Sequence, residues 1–130
     1  MAAETTALAL AALLQAAQIG LAAASMNRDV GVEWNASPRD TQPPFSVQTG
    51  RLRRAVDNHF QGLILFTIAV LLVVLTDSGG ALTAVCAWAY LIARILYVPA
   101  YALGWSPWRS VIWGVGFLAT MVMIVTSLFS

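Results

Sequence analysis

The chain has 130 residues, of which 59% are hydrophobic and 10% charged, with a net charge of +1 and a mean hydropathy of +0.75. An average soluble domain carries roughly 25% charged residues, so this composition excludes an ordinary water-soluble fold. All the basic residues are arginine, and with no basic stripe on a basic domain there is no nucleic-acid footprint.

Four apolar spans follow in order, over about 5–26, 56–76, 79–103 and 107–129. Each approaches the roughly 20 residues that a helix needs to cross the hydrocarbon core. They are continuously apolar rather than alternating, which excludes transmembrane strands. The fold class is therefore all-α: an integral membrane four-helix bundle forming one domain over 1–130. The first span begins Met1-Ala2-Ala3-Glu4, with an acidic residue and no basic n-region, so it reads as a span rather than a signal peptide. Its alanines Ala7, Ala9, Ala11, Ala12, Ala16 and Ala17 suit close helix packing.

The connection over 27–55 holds Arg28, Arg39, Arg51, Arg53 and Arg54, and its Asn35, Ser37, Pro38, Pro43 and Pro44 make it polar and irregular. The turn Asp77-Ser78-Gly79-Gly80 has no arginine, and the third connection ends in Arg109. Two of the three connections share a side and hold nearly all the arginine, so that side is cytoplasmic and both termini face outward. The termini then face a periplasm or a lumen. Ser78 is a candidate cap for the third helix, and Ser106-Pro107 an N-cap with proline at the first helical position of the fourth. Trp105, Trp108 and Trp113 suit an interfacial aromatic belt.

Cys86, the one cysteine, excludes a disulfide framework and a multi-cysteine metal site. It lies in an apolar run and reads as a small buried hydrophobe. No metal is expected. Met121 and Met123 read as apolar filler.

Arg54, Asn58 and Gln61 are spaced i, i+4, i+7 on one helical face, with Arg51 a turn earlier and Asp57 at the border. Tyr90, Arg94, Tyr97 and Tyr101 share a face of the third helix. Arg109, Ser110 and Arg28 lie at the same membrane level. A guanidinium keeps its proton at any accessible pH, and at bilayer depth it costs roughly 2.5–3.5 kcal/mol. Arg94 must therefore snorkel, face a polar interior or hold an anion. One reading is a site for a small polyanion, with arginines pairing carboxylates and lowering a thiol's pKa. The other, equally weighted, is a structural seam in which Asp57 neutralises Arg54, Arg53 or Arg94, with Tyr97 and Tyr101 as interfacial anchors. His59 stands one residue off the stripe, without a second ligand at metal spacing, and reads as an interfacial polar residue.

Arg54-Ala55-Val56-Asp57-Asn58-His59-Phe60-Gln61 resembles the R-A-x-x-N-x-x-E signature of the MAPEG family, the membrane-associated proteins in eicosanoid and glutathione metabolism. The third helix resembles its partner through Arg94, Tyr97 and Tyr101, followed by Arg109-Ser110. Ser37-Pro38-Arg39-Asp40 before Gly50-Arg51 is similar to the loop of bacterial members, which implies a bacterial inner membrane. The resemblance implies a homotrimer with glutathione as co-substrate, bound between subunits. It implies that Arg54, Asn58, Gln61, Arg94, Tyr97 and Tyr101 hold glutathione, that Arg28 and Arg51 add anion contacts, and that Arg109 with Ser110 stabilises the thiolate. It further implies conjugation to a lipophilic electrophile, or peroxide reduction, with the lipophilic substrate drawn from membrane lipid. The chain departs from the pattern at Gln61, where the family has Glu, and at Ile64, where proline is common. A non-catalytic member binding another small anion is the alternative, and a small multidrug-type transporter a third reading, weakened by the lack of a mid-membrane carboxylate.

Overall fold

The computed structural model describes residues 1–41 and 44–130; Pro43, read above as part of the irregular connection, lies outside them. Among the described residues five helices follow in order: α1 (Ala3–Val30), α2 (Val32–Ala36), α3 (Val47–Leu75), α4 (Ala81–Ala102) and α5 (Trp108–Leu128). Four are long and apolar enough to cross a membrane, as expected of an integral, multi-pass membrane protein. α1 packs against α3 and α4, and α5 packs against the same two, so α1 and α5 are diagonal in the bundle.

Alternation of bulk explains the packing. α1 turns inward the stripe Glu4, Ala7, Ala11, Gln15, Gln18, Ala22 and Ser25, whose spacings of three and four keep one face on the bundle. Of the alanines singled out above, Ala7 and Ala11 are buried, while Ala9, Ala12, Ala16 and Ala17 are exposed. Opposite the small face, Phe66 and Tyr90 stack at 3.9 Å between ring centroids, with Val70, Val73, Leu91 and Met123 around them. Cys86 is buried in the same cluster. The outward surface is apolar, with Leu13, Ile64, Leu71, Val85, Ile92 and Leu118 exposed, the pattern of a bundle solvated by lipid.

Among the described residues, the 27–55 connection holds more helix than expected. α1 runs on to Val30, and α3 starts at Val47, nine residues before the apolar run. Arginine-bearing turns extend a helix beyond the hydrocarbon because their heads snorkel while the backbone stays hydrogen-bonded. Ser46 caps α3, its hydroxyl accepting from the Thr49 amide at 3.2 Å. Asp29 ties the two helix ends, accepting from the Ser46 amide at 2.9 Å and the Thr49 hydroxyl at 2.6 Å. Trp34 packs edge-on to Phe45, with Arg39 over Trp34 and Arg53 over Phe45.

Neither proposed serine cap forms. The N-cap of α4 is Gly80, whose amide donates to Thr83 Oγ1 at 2.8 Å, while Ser78 meets Thr76. α5 begins at Trp108 with Pro107 at its N-cap, and Ser106 makes no side-chain cap. At α5 the Arg109 and Ser110 amides donate to the Trp105 and Pro107 carbonyls of the preceding turn instead. Trp105, Trp108 and Trp113 are all exposed at that end.

Candidate functional site

Arg94 is 3% exposed on α4. Its guanidinium carbon sits 4.3 Å from the Tyr97 ring centroid. Its Nε and Nη2 are buried and meet no hydrogen-bond partner among the described residues. The Tyr90 hydroxyl and Asn58 Oδ1 are in the same condition. All three residues line one cleft of about 140 Å³ with Gln61, Gly62, Leu65, Trp113, Gly116, Phe117 and Thr120. Three helices build it: α3 gives Asn58 and Gln61, α4 gives Tyr90 and Arg94, and α5 gives the Trp113–Phe117 wall, stacked at 5.1 Å. Gly116 forms its inner wall, where a methyl group would stand in ordinary contact, 3.6 Å from Tyr90 Cδ2 and 3.9 Å from Arg94 Cδ. Gln61 is exposed at the cleft's edge.

An outer tier stands toward the arginine-rich end. Tyr97 packs edge-on to Tyr101 at 5.6 Å. Arg54 Nε donates to the Tyr101 hydroxyl at 3.1 Å, and Arg109 lies 4.8 Å over the Tyr101 ring. Arg51 reaches the Ala102 carbonyl at 3.4 Å and lies against Gly104. The aromatic rings thus run as a ladder from the buried Arg94 to the more accessible Arg54 and Arg109. At its two ends a cation lies against a π face, each contact worth about 0.5–2 kcal/mol, and the Tyr97–Tyr101 pair joins them edge-on.

Two candidates stand apart. Arg28 is drawn to the other side of the bundle end, donating to Ser25 Oγ at 3.3 Å and pairing with Asp29 at 3.8 Å. Ser110 is exposed on the first turn of α5, and no side-chain hydrogen bond joins it to the ladder. The neutral seam drawn through Asp57 does not form: Asp57 is exposed, and among the described residues it pairs with none of Arg53, Arg54 or Arg94. The stripe that carries Arg54 and Asn58 turns Asp57 away from Arg94.

His59 is not interfacial but fully buried. Gln15 Nε2 points at the Val56 carbonyl, 3.4 Å away, which leaves Gln15 Oε1 to accept from His59 Nδ1 at 2.6 Å. That geometry puts the ring proton on Nδ1. His59 Nε2 and both amide atoms of Gln18 are buried without partners among the described residues. Sequence reading passed over Gln15, Gln18 and the buried Glu4, whose Oε1 accepts from Thr83 Oγ1 at 2.6 Å. The signal was present: all three fall on the single inward stripe of α1.

The arrangement supplies an uncompensated buried cation, a phenol and an amide facing one small cleft, with two more guanidiniums on an aromatic ladder above it. It is suited to holding an anion whose far end extends to the surface. No curated protein and no solved structure matches the chain. The sequence profile described as the MAPEG family matches residues 3–129, nearly every residue of the bundle and both tiers of the site. The chain belongs to the MAPEG family.

Proposed function

We propose that the protein is a glutathione-dependent transferase or peroxidase acting on lipophilic electrophiles, working as a homotrimer. The observation that supports this most is Arg94: a guanidinium 3% exposed with two nitrogens unpartnered among the described residues. Leaving a charged donor unmatched costs more than an ordinary lost hydrogen bond, and an anionic ligand group removes that cost. Glutathione offers two carboxylates and a thiol. Arg94 and Tyr90 donate to one anionic group in the cleft and Asn58 Oδ1 accepts from a ligand N–H beside it, while Arg54, Arg51 and Tyr101 hold the other end, with Gln61 at the edge. Arg28 joins through a neighbouring subunit, since within its own chain it points elsewhere.

Arg109 then stabilises the thiolate, with Tyr97 and Tyr101 as neighbouring hydroxyls and Ser110 beside it. A cation next to a thiol lowers its pKa and raises the reactive fraction. The thiolate sulfur forms a bond to the electrophilic carbon, and the displaced electron pair leaves with the leaving group or takes up a proton. The exposed apolar flank of Trp113 and Phe117 admits the electrophile from lipid. Thiolate ultraviolet absorbance in detergent tests this: wild type forms thiolate at millimolar glutathione and Arg109→Ala does not, with assembly unchanged. Absence of thiolate in wild type overturns the reading.

Gln61 favours a second reading, a non-catalytic anion binder. An amide cannot give the charge-assisted bond, roughly twice as strong as a neutral one, that a carboxylate gives an amino group. On this reading Gln61→Glu creates or strengthens glutathione binding, and an unchanged affinity counts against it.

A further inference from the structure

On the opposite side of α3 from Arg94 lies a larger cavity of about 430 Å³, bounded by α1, α2 and α3. Ile19, Ala22, Ala23, Met26 and Val56 form an apolar floor; Arg39, Arg53 and Asp57 stand around it. None of these residues is used by the function proposed above. The volume lies within the roughly 300–1,000 Å³ typical of small-molecule sites.

The charged groups are arranged for a ligand with both signs. Arg39 is fixed at one side: it donates to the Asn35 carbonyl at 2.9 Å and to the Asn35 side chain, and stacks on Trp34. Asn35 in turn donates to Asn27 Oδ1 at 2.9 Å. Arg53 lies 4.9 Å over the Phe45 ring and makes no ion pair among the described residues. Asp57, one turn further along α3, is exposed and also makes none. Two arginines and one aspartate therefore line a cavity whose floor is apolar and continues onto lipid-facing α1, where Ile19 and Leu21 are exposed. A guanidinium binds phosphate through paired N–H groups, and a carboxylate accepts hydrogen bonds from a primary ammonium.

We propose that this cavity is a lipid site for a phosphoethanolamine headgroup. The phosphate lies at Arg53 and Arg39, the ammonium at Asp57, and the upper part of one acyl chain on Ile19, Ala22, Ala23 and Met26. The carboxylate is what distinguishes this lipid from others. It disfavours a purely anionic headgroup, and a trimethylammonium has no N–H to give it. Bound there, the lipid ties α2 and the connection after it to the bundle.

The test is native mass spectrometry of the full chain in detergent, titrated in parallel with phosphatidylethanolamine, phosphatidylglycerol and phosphatidylcholine. The expected result is at least threefold greater retention of phosphatidylethanolamine than of either competitor. Asp57→Asn abolishes the preference over phosphatidylglycerol, and Arg53→Gln lowers phosphatidylethanolamine retention severalfold. Should Arg53→Gln fail to fold, the Asp57→Asn comparison decides alone. Equal retention of the three lipids by wild type, a preference for phosphatidylglycerol, or an unchanged preference in Asp57→Asn overturns the proposal. The outcome is independent of glutathione, so failure here leaves the transferase reading standing.

Discussion

The Arg94 guanidinium carbon lies over the Tyr97 ring, 4.3 Å from its centroid and three residues back along α4. The tyrosine shields one face of the charge, yet leaves Nε and Nη2 without acceptors among the described residues. An uncompensated buried charge destabilises the protein that carries it. Arg94→Met is therefore expected to raise the thermal midpoint of the ligand-free protein in detergent, by the equivalent of about 1–4 kcal/mol, while abolishing the gain in midpoint that glutathione gives wild type. A lower midpoint in the variant would show that Arg94 is a structural tie.

The buried contact Gln15–His59 behaves in the opposite sense, because His59 Nδ1 and Gln15 Oε1 satisfy each other. Gln15→Leu strands the Nδ1 proton of His59 in the core and is expected to cost about 1–3 kcal/mol. The double variant Gln15→Leu/His59→Leu is expected to recover part of that loss. Thermal unfolding of the two single variants and the double variant checks it; additive losses would deny the coupling.

At the other end of the bundle, Thr83 is buried between Glu4 and the Gly80 amide. Thr83→Val keeps the shape but removes both hydrogen bonds. It leaves a buried carboxylate short of a donor, so stability falls by about 1–3 kcal/mol with glutathione affinity unchanged. A matched loss of affinity would tie this latch to the site.

How far these features could be read from the sequence depended on the kind of signal. Hydropathy located all four spans, since lipid solvation demands long apolar runs. It started the second apolar span at 56, whereas the helical spacing of Arg51, Arg54 and Asn58 already extended the helix back through the arginines, and α3 begins at Val47. Helical spacing brought Asn58, Gln61 and Arg94 to one cleft, and Arg54 to Tyr101. Spacing on single helices did not reveal that Asp57 leaves Arg94 uncompensated, since that depends on how α3 and α4 meet. Nor did it reveal Gln15, Gln18 and His59 as interior groups. Isolated amides among alanines give little hydropathy contrast, and only the three–four stripe marks them.

Gly116 is the inner wall of the cleft. A methyl group there would meet Ala93 Cβ and Tyr90 Cδ2 at 3.6 Å without overlap. Gly116→Ala is expected to fold as well as wild type, with a helix-propensity gain of about 0.8–1 kcal/mol. Gly116→Leu occupies the space beside Arg94 and is expected to weaken glutathione binding at least tenfold. Binding equal to wild type in the leucine variant would place the ligand elsewhere.

The most direct measurement is a calorimetric titration of glutathione into the purified protein in detergent, run beside folded Arg94→Met. Saturable binding at or below millimolar glutathione is expected for wild type and none for the variant. No saturable binding to wild type, or equal binding to both, would contradict the proposed function.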